Sequence, residues 1–280
     1  MKNRVFLAIG LVLAVSVMLL VVSRIVITNR SGAPRPADAI KVTGASKEEV
    51  ELFNAASKYA RSGDLLLAKD TYRKIMEKFP GSVNTEKAQS ALENMNIQIM
   101  ASSIPTPDSI SYEVQKGDTL AKIAKKFSTT GDLIMRSNNL NNAEVVPLGR
   151  KLKVHNEKMS MVVDKSMNIL TLKSADTIVK TYRVATGINN CTPVGSFKII
   201  NKIINPTWYT AGGVIPPDNP KNILGSRWLG LSAPGYGIHG TTEPQSIGNQ
   251  ITSGCVRMKN AEVEELYALV PQGSEVVIVD

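Results

Sequence analysis

The stretch YGIHGTTEPQSIGNQITSGCVRM, Tyr236 to Met258, sets a histidine next to a glycine sixteen residues ahead of a cysteine next to another glycine. The chain of 280 residues holds two histidines and two cysteines, so nearly every imidazole–thiol scheme must pass through His239 and Cys255. A cysteine nucleophile needs its proton removed and its thiolate stabilised, and a nearby imidazole does the first and, once protonated, the second. The imidazole must also present its basic nitrogen to sulfur, which requires an acceptor on the other nitrogen. Gly240 leaves its own carbonyl unshielded, and Gly254 lets a carbonyl substrate approach the amides beside Cys255. No unique Asp or Glu stands out as orienter, so a backbone carbonyl is the expected third member.

The flanking sequence reads as mainly β. MSMVVDKSMNILTLKS and ADTIVKTYRVATG are alternating or β-branched runs, followed by GSFKIINKII and a terminal SEVVIV. Gly- and Pro-rich connections separate them, and a single helix is expected over Ala261 to Val270, capped by Asn260. With these features, 160–280 resembles the L,D-transpeptidase catalytic domain, also called the YkuD domain. His239-Gly240 and Thr252-Ser253-Gly254-Cys255-Val256-Arg257 carry its pattern; ATGINNCTPVGSFKI, NPTWY, ILGSRWLGL and PQSIG add to it. Ser253 stands where many relatives carry histidine.

The resemblance implies that Cys255 attacks the third-residue carbonyl of a peptidoglycan tetrapeptide, with His239 as general base and then acid. The Gly240 carbonyl would orient His239, and amides around Gly254 would hold the oxyanion. A side-chain amine from another stem would then give a 3→3 cross-link; water would give L,D-carboxypeptidase activity, and a protein amine an attachment enzyme. A noncatalytic wall-binding scaffold is the rival from another class. Arg257, Tyr236, Trp208, Asn222 and Ser253 are the candidate substrate contacts, Arg257 either holding a carboxylate or organising the loop. Cys191 reads as a turn residue and His155 as a linker residue. No His/Cys/Asp grouping has metal-ligand spacing, and neither metal nor cofactor is expected.

Upstream, SYEVQKGDTLAKIAKKFSTTGDLIMRSNNLNNAEVVPLGRKLKV reads as a βααβ unit. A strand at Tyr112 to Val114 turns at Gly117-Asp118-Thr119 into a helix lined by Leu120, Ile123, Ala124 and Phe127; a second helix begins at Thr130, and Lys151 to Val154 returns. The unit, 111–156, closely resembles a LysM domain, which implies recognition of N-acetylglucosamine-containing glycan. Its groove would lie between Gly117, Asp118, Thr119 and Leu120 on one side and the loop Asn141 to Val146 on the other. Before it, 46–101 gives three helices: from a Ser46/Glu49 capping box to Gly63, from Leu65 to Lys78, and from Thr85 to Met100. Tyr59, Gly63, Ala68, Tyr72 and Pro80 match the sparse tetratricopeptide pattern, so a protein partner and a plain spacer both fit. Segments 31–45 and 102–110 are linkers.

Lys2 and Arg4 precede the apolar run Val5 to Val22, which reads as a single-pass membrane anchor over 1–30 with the remainder outside the cytoplasm. The formal charge of +9 favours polyanionic surfaces such as membranes and acidic wall polymers. Nucleic acid is set aside, since no zinc-finger spacing or Arg-rich tail is present. The expected architecture is an anchor, a helical hairpin-like unit, a LysM module and a mainly β catalytic domain.

Overall fold

The computed structural model describes residues 44–141 and 146–280. The anchor expected over 1–30 lies outside them. Among the described residues no helix is long and apolar enough to cross a membrane. The longest have 16 residues, about 24 Å of rise against the ~30 Å of a hydrocarbon core, and they carry charged faces. The single-pass helix expected from sequence, and with it the membrane partner and membrane location, is corrected: no described helix supplies a span.

Three helices come first: α1 Lys47–Ser62, α2 Leu65–Lys78 and α3 Thr85–Met100. The Ser46 side chain accepts from Glu49 N at 3.1 Å, and Gly63 ends α1 in the left-handed region at φ 85°. The other half of the capping box is not made, because Glu49 is buried and bonded to Ser82. Ala56, Ala68 and Ala88 are fully buried with Tyr72, Ile75, Met95 and Ile99, so the small side chains let the helices close on one another.

The LysM-like unit consists of β1 Ser109–Glu113, α4 Leu120–Lys126, α5 Gly131–Ser137 and β2 Lys151–His155, with β1 and β2 antiparallel. Thr119 and Thr130 cap the two helices through their hydroxyls, accepting from Lys122 N and Leu133 N. Its small core is Val114, Leu120, Ile123, Ala124, Ile134, Leu152 and Val154.

This unit is fastened to both neighbours. Lys153 Nζ donates to the carbonyls of Ile99, Met100 and Ser102 at 2.9, 3.3 and 2.8 Å, a cation set on the C-terminal end of α3. Leu133 leaves its own helix pair to join the largest core cluster, which belongs to the C-terminal domain. Thr130 Oγ1 donates to Ala268 O beside it. His155 is no linker residue: it is buried at the end of β2, with Nε2 3.3 Å from Ser174 Oγ and Nδ1 3.5 Å from Asp108.

The C-terminal domain is built on an eight-stranded sheet. Its strands are β3 Met159–Asp164, β4 Ile169–Ser174, β5 Thr177–Arg183, β7 Gly195–Ile204, β10 Arg227–Leu231, β11 Gly237–His239, β13 Val256–Arg257 and β14 Glu275–Val279. They lie in the order β13-β11-β10-β7-β14-β3-β4-β5, with β11/β13 and β14/β3 parallel and the other neighbours antiparallel. Two ladders stand apart: β6 Thr186–Gly187 with β12 Gln250–Thr252, and the hairpin β8 Trp208–Thr210 with β9 Gly213–Ile215. Helix α6, Asn260–Leu269, buries Val263, Leu266, Ala268 and Leu269 against the sheet. Asn260 does not cap it: the cap position is Lys259, and the Asn260 side chain reaches elsewhere. Asn96 on α3 donates to Val179 O at 2.9 Å and ties the helices to β5.

Candidate active site

Register places the site at one edge of the large sheet. His239 on β11 pairs with Trp228 on β10 and, in parallel, with Arg257 on β13, while Ile238 pairs with Leu229 and Val256. Successive side chains of a strand point to opposite faces. The fully buried Leu229, Ile238 and Val256 therefore form the core face, and Trp228, His239 and Arg257 share the other. Cys255 immediately precedes β13 on the parity of Arg257, diagonally across from His239.

Glycines make that face accessible to flat rings. A Cβ on Gly237 would come within 2.5 Å of the Trp228 indole, so the missing side chain is what allows the ring to lie over β11. The indole stacks on the His239 imidazole, 5.9 Å between centres and 19° between planes. Asn201 on β7 holds it there by accepting from Trp228 Nε1 at 3.1 Å. Gly254, at φ 120°, has a conformation that other residues rarely adopt, and Tyr236 packs its ring where a Cβ would stand.

His239 is buried, and Nδ1 lies 2.6 Å from the Gly240 carbonyl oxygen. That acceptor requires the proton on Nδ1 and leaves Nε2 basic. Burial pushes the imidazole pKa down to about 4; the Gly240 carbonyl opposes the shift, the Arg257 charge adds to it, and the Leu224 carbonyl opposes it weakly. Burial likewise pushes the Cys255 thiol up, against the Gly237 amide and the Arg257 charge, which favour thiolate. Burial thus disfavours the charged form of each group, the imidazolium and the thiolate. Sulfur is placed against the Gly235 carbonyl oxygen at 3.7 Å.

The remaining sequence candidates divide. Tyr236 is half-buried over Gly254, and Ser253 is exposed beside Cys255. Trp208 is half-buried at the base of the β8–β9 hairpin, where it pairs with Ile215. Asn222 is buried and donates to the carbonyls of Pro206, Ile215 and Pro216, so it clasps that hairpin. Arg257 is buried and donates to Glu243 Oε2 at 2.8 Å and Ser246 Oγ at 3.1 Å, within the loop between His239 and Cys255. The Gly254 amide donates to Thr252 Oγ1 at 3.1 Å. Cys191 ends a 3-10 turn, Ile188–Asn190, and its sulfur packs where a Gly187 Cβ would be. Trp228 was missed as a site residue; the ILGSRWLGL run contained it, but its stacking depends on strand register.

In the LysM-like unit Gly117 and Thr119 are exposed, Asp118 accepts from Tyr112 Oη and Gln115 N at 2.8 Å each, and Asn141 is exposed. Leu120 and Val146 direct their side chains to the core cluster. Residues 142–145 of the loop lie outside those described.

Comparison with known proteins agrees with this layout. The L,D-transpeptidase catalytic domain model, YkuD, matches 158–278, and the LysM domain model matches 112–155. The "Putative L,D-transpeptidase YkuD" of Bacillus licheniformis is 36% identical over 176 residues, covering 60% of this chain and 98% of that protein. Its namesake in Bacillus subtilis is 34% identical over 175 residues, covering 60% and 98%. A solved L,D-transpeptidase from Mycobacterium smegmatis aligns at 18% identity over 47% of this chain and 64% of that one, with a TM-score of 0.38, a likeness too loose to build on.

Proposed function

The chain belongs to the YkuD-type L,D-transpeptidase family, and on that premise we propose how its own residues perform peptidoglycan cross-linking. The observation that carries the reading is the short contact between His239 Nδ1 and the Gly240 carbonyl, which requires the proton on Nδ1 and makes Nε2 the basic nitrogen available to Cys255. A tetrapeptide stem enters with its third residue's carbonyl over Cys255. His239 Nε2 takes the thiol proton as sulfur attacks, and the same proton then passes to the departing amine of D-alanine. What remains is a Cys255 thioester and free D-alanine.

The backbone amide of Cys255 receives the oxyanion of the tetrahedral intermediate, the Gly254 amide being engaged by Thr252 Oγ1; one such donor contributes about 3 kcal/mol. A side-chain amine of diaminopimelate in a second stem, deprotonated by His239, attacks the thioester and gives a 3→3 link. Burial of both groups disfavours a resting imidazolium–thiolate pair, so proton transfer to His239 accompanies attack by sulfur. Arg257 organises the loop between base and nucleophile, and Tyr236 and Trp208 flank the substrate. The glycan module, through the Gly117–Thr119 turn and the Asn141 loop, holds a strand nearby and raises the local concentration of stems.

The test is product analysis on the full chain with disaccharide-tetrapeptide as both donor and acceptor. Dimers linked 3→3 should accumulate with acceptor concentration and disappear in Cys255→Ala. A thioester that yields only hydrolysed tripeptide at every acceptor concentration would make the enzyme a carboxypeptidase instead.

A further inference from the structure

The peptide unit joining Gly240 to Thr241 is gripped at both ends. Its carbonyl oxygen lies 2.6 Å from His239 Nδ1, and its amide, on Thr241, donates to Asn260 Oδ1 at 3.0 Å. The same Asn260 oxygen accepts from Ser226 N at 3.2 Å. Gly225 and Gly240 close around it: a Cβ on either would stand 2.2 Å from Asn260 Oδ1, so both positions exclude a side chain. Asn260 is the first residue of α6, whose buried Val263, Leu266 and Leu269 fix it to the core. The amide oxygen is thus placed by helix packing and not by the loop it holds.

A hydrogen bond to a peptide N–H polarises the carbonyl of the same peptide and makes it a better acceptor. The order of groups is Asn260 Oδ1, Thr241 N–H, Gly240 C=O, His239 Nδ1–H, then Nε2 toward the nucleophile. We propose that Asn260 is a positioning residue for the transpeptidase reaction: it fixes and polarises the Gly240–Thr241 peptide, which does for His239 what a carboxylate does in a Ser-His-Asp triad. The inference rests on His239 being the base for Cys255.

A neutral amide at this position has a consequence of its own. A carboxylate behind the histidine would favour imidazolium and raise its pKa, whereas Asn260 orients the ring without adding charge. The groups facing His239 are Arg257, paired with it on β13, the uncharged Trp228 ring from β10, and the Gly240 and Leu224 carbonyls. Arg257 also disfavours imidazolium, so orientation and charge act in the same direction.

The experiment uses the full chain in a Cys191→Ser background, so that Cys255 is the remaining thiol. Asn260→Ala, Asn260→Asp and His239→Ala are compared with the parent for folding, iodoacetamide alkylation of Cys255 across about pH 4 to 9, tetrapeptide turnover, and imidazole nitrogen NMR. The His239 signal is the one that His239→Ala removes. Asn260→Ala should lose the fixed Nδ1–H tautomer and slow both alkylation and kcat about tenfold, with KM changed less than about twofold. Asn260→Asp keeps the acceptor, so it should restore the tautomer and raise the pH midpoint of His239. Folded Asn260→Ala and Asn260→Asp proteins with parental tautomer and rates would overturn the inference. If Asn260→Ala fails to fold, an unmoved His239 midpoint in Asn260→Asp overturns it. Alkylation as fast in His239→Ala as in the parent would instead sink the base assignment on which it rests, and the tautomer signal separates the two failures.

Discussion

The Trp228 indole lies nearly parallel to the His239 imidazole, with 5.9 Å between ring centres and 19° between ring planes. It covers one face of the base and, tied to Asn201, fixes the plane in which the imidazole can turn. Replacing the ring with Ala removes an aromatic contact of about 1 kcal/mol. Trp228→Ala should therefore lower kcat for tetrapeptide roughly fivefold or more with a smaller change in KM, and Trp228→Phe should recover most of the loss. Steady-state kinetics on the three proteins checks this; equal kcat values would remove the indole from the account.

Acid should destabilise the protein through its histidines. His239 has its folded pKa lowered by burial to about 4, and burial lowers His155 as well, against Asp108. Between the lowered folded pKa and the ordinary value near 6.5, the unfolded chain binds more protons than the folded one. The stability is therefore complete above about pH 6.5 and is lost as pH falls toward about 4, by roughly 3 kcal/mol for His239. Urea titrations across this range should show the fall in the parent and a shallower one in His239→Gln. A stability independent of pH over that window would contradict the burial argument.

Leu133 belongs by sequence to the LysM-like unit and by packing to the transpeptidase core. Leu133→Ala should cost about 2–4 kcal/mol. The two domains should melt in one transition, and that transition should shift as a whole. Two separate transitions in calorimetry, with the catalytic one unmoved by Leu133→Ala, would mean that the contact does not couple them.

Arg257 makes its hydrogen bonds to Glu243 and Ser246 with its guanidinium buried. Both bonds come from Nη1 at the far end of a buried planar group, and the shorter lysine ammonium does not fill that place. Arg257→Lys should lower stability by about 2 kcal/mol in thermal melts while KM for tetrapeptide stays within about twofold. An unchanged melting temperature with a sharply raised KM would assign the residue to a substrate carboxylate instead.

Much of this was legible in the chain because the chemistry had few places to be. With two histidines and two cysteines, His239 and Cys255 could be paired before any fold was known, and the helix cap at Ser46 was readable from local spacing. What escaped depends on contacts distant in sequence. Asn260 reads as a helix cap, yet its oxygen is used by amides 34 and 19 residues upstream. His155 reads as a linker until the strand it ends is packed against Ser174. Trp228 becomes part of the site only when β10 is laid against β11 in register. The apolar N-terminal run gave an anchor by composition alone, and no helix among the described residues supplies one.

The central claim is that Cys255 carries the acyl group with His239 as its base. Intact-protein mass spectrometry of the full chain, quenched during turnover of disaccharide-tetrapeptide, tests it most directly. The account predicts an adduct on Cys255 equal in mass to the donor less D-alanine, absent from Cys255→Ala and formed at least about a hundredfold more slowly by folded His239→Ala. Release of D-alanine at the parental rate from folded Cys255→Ala would contradict it.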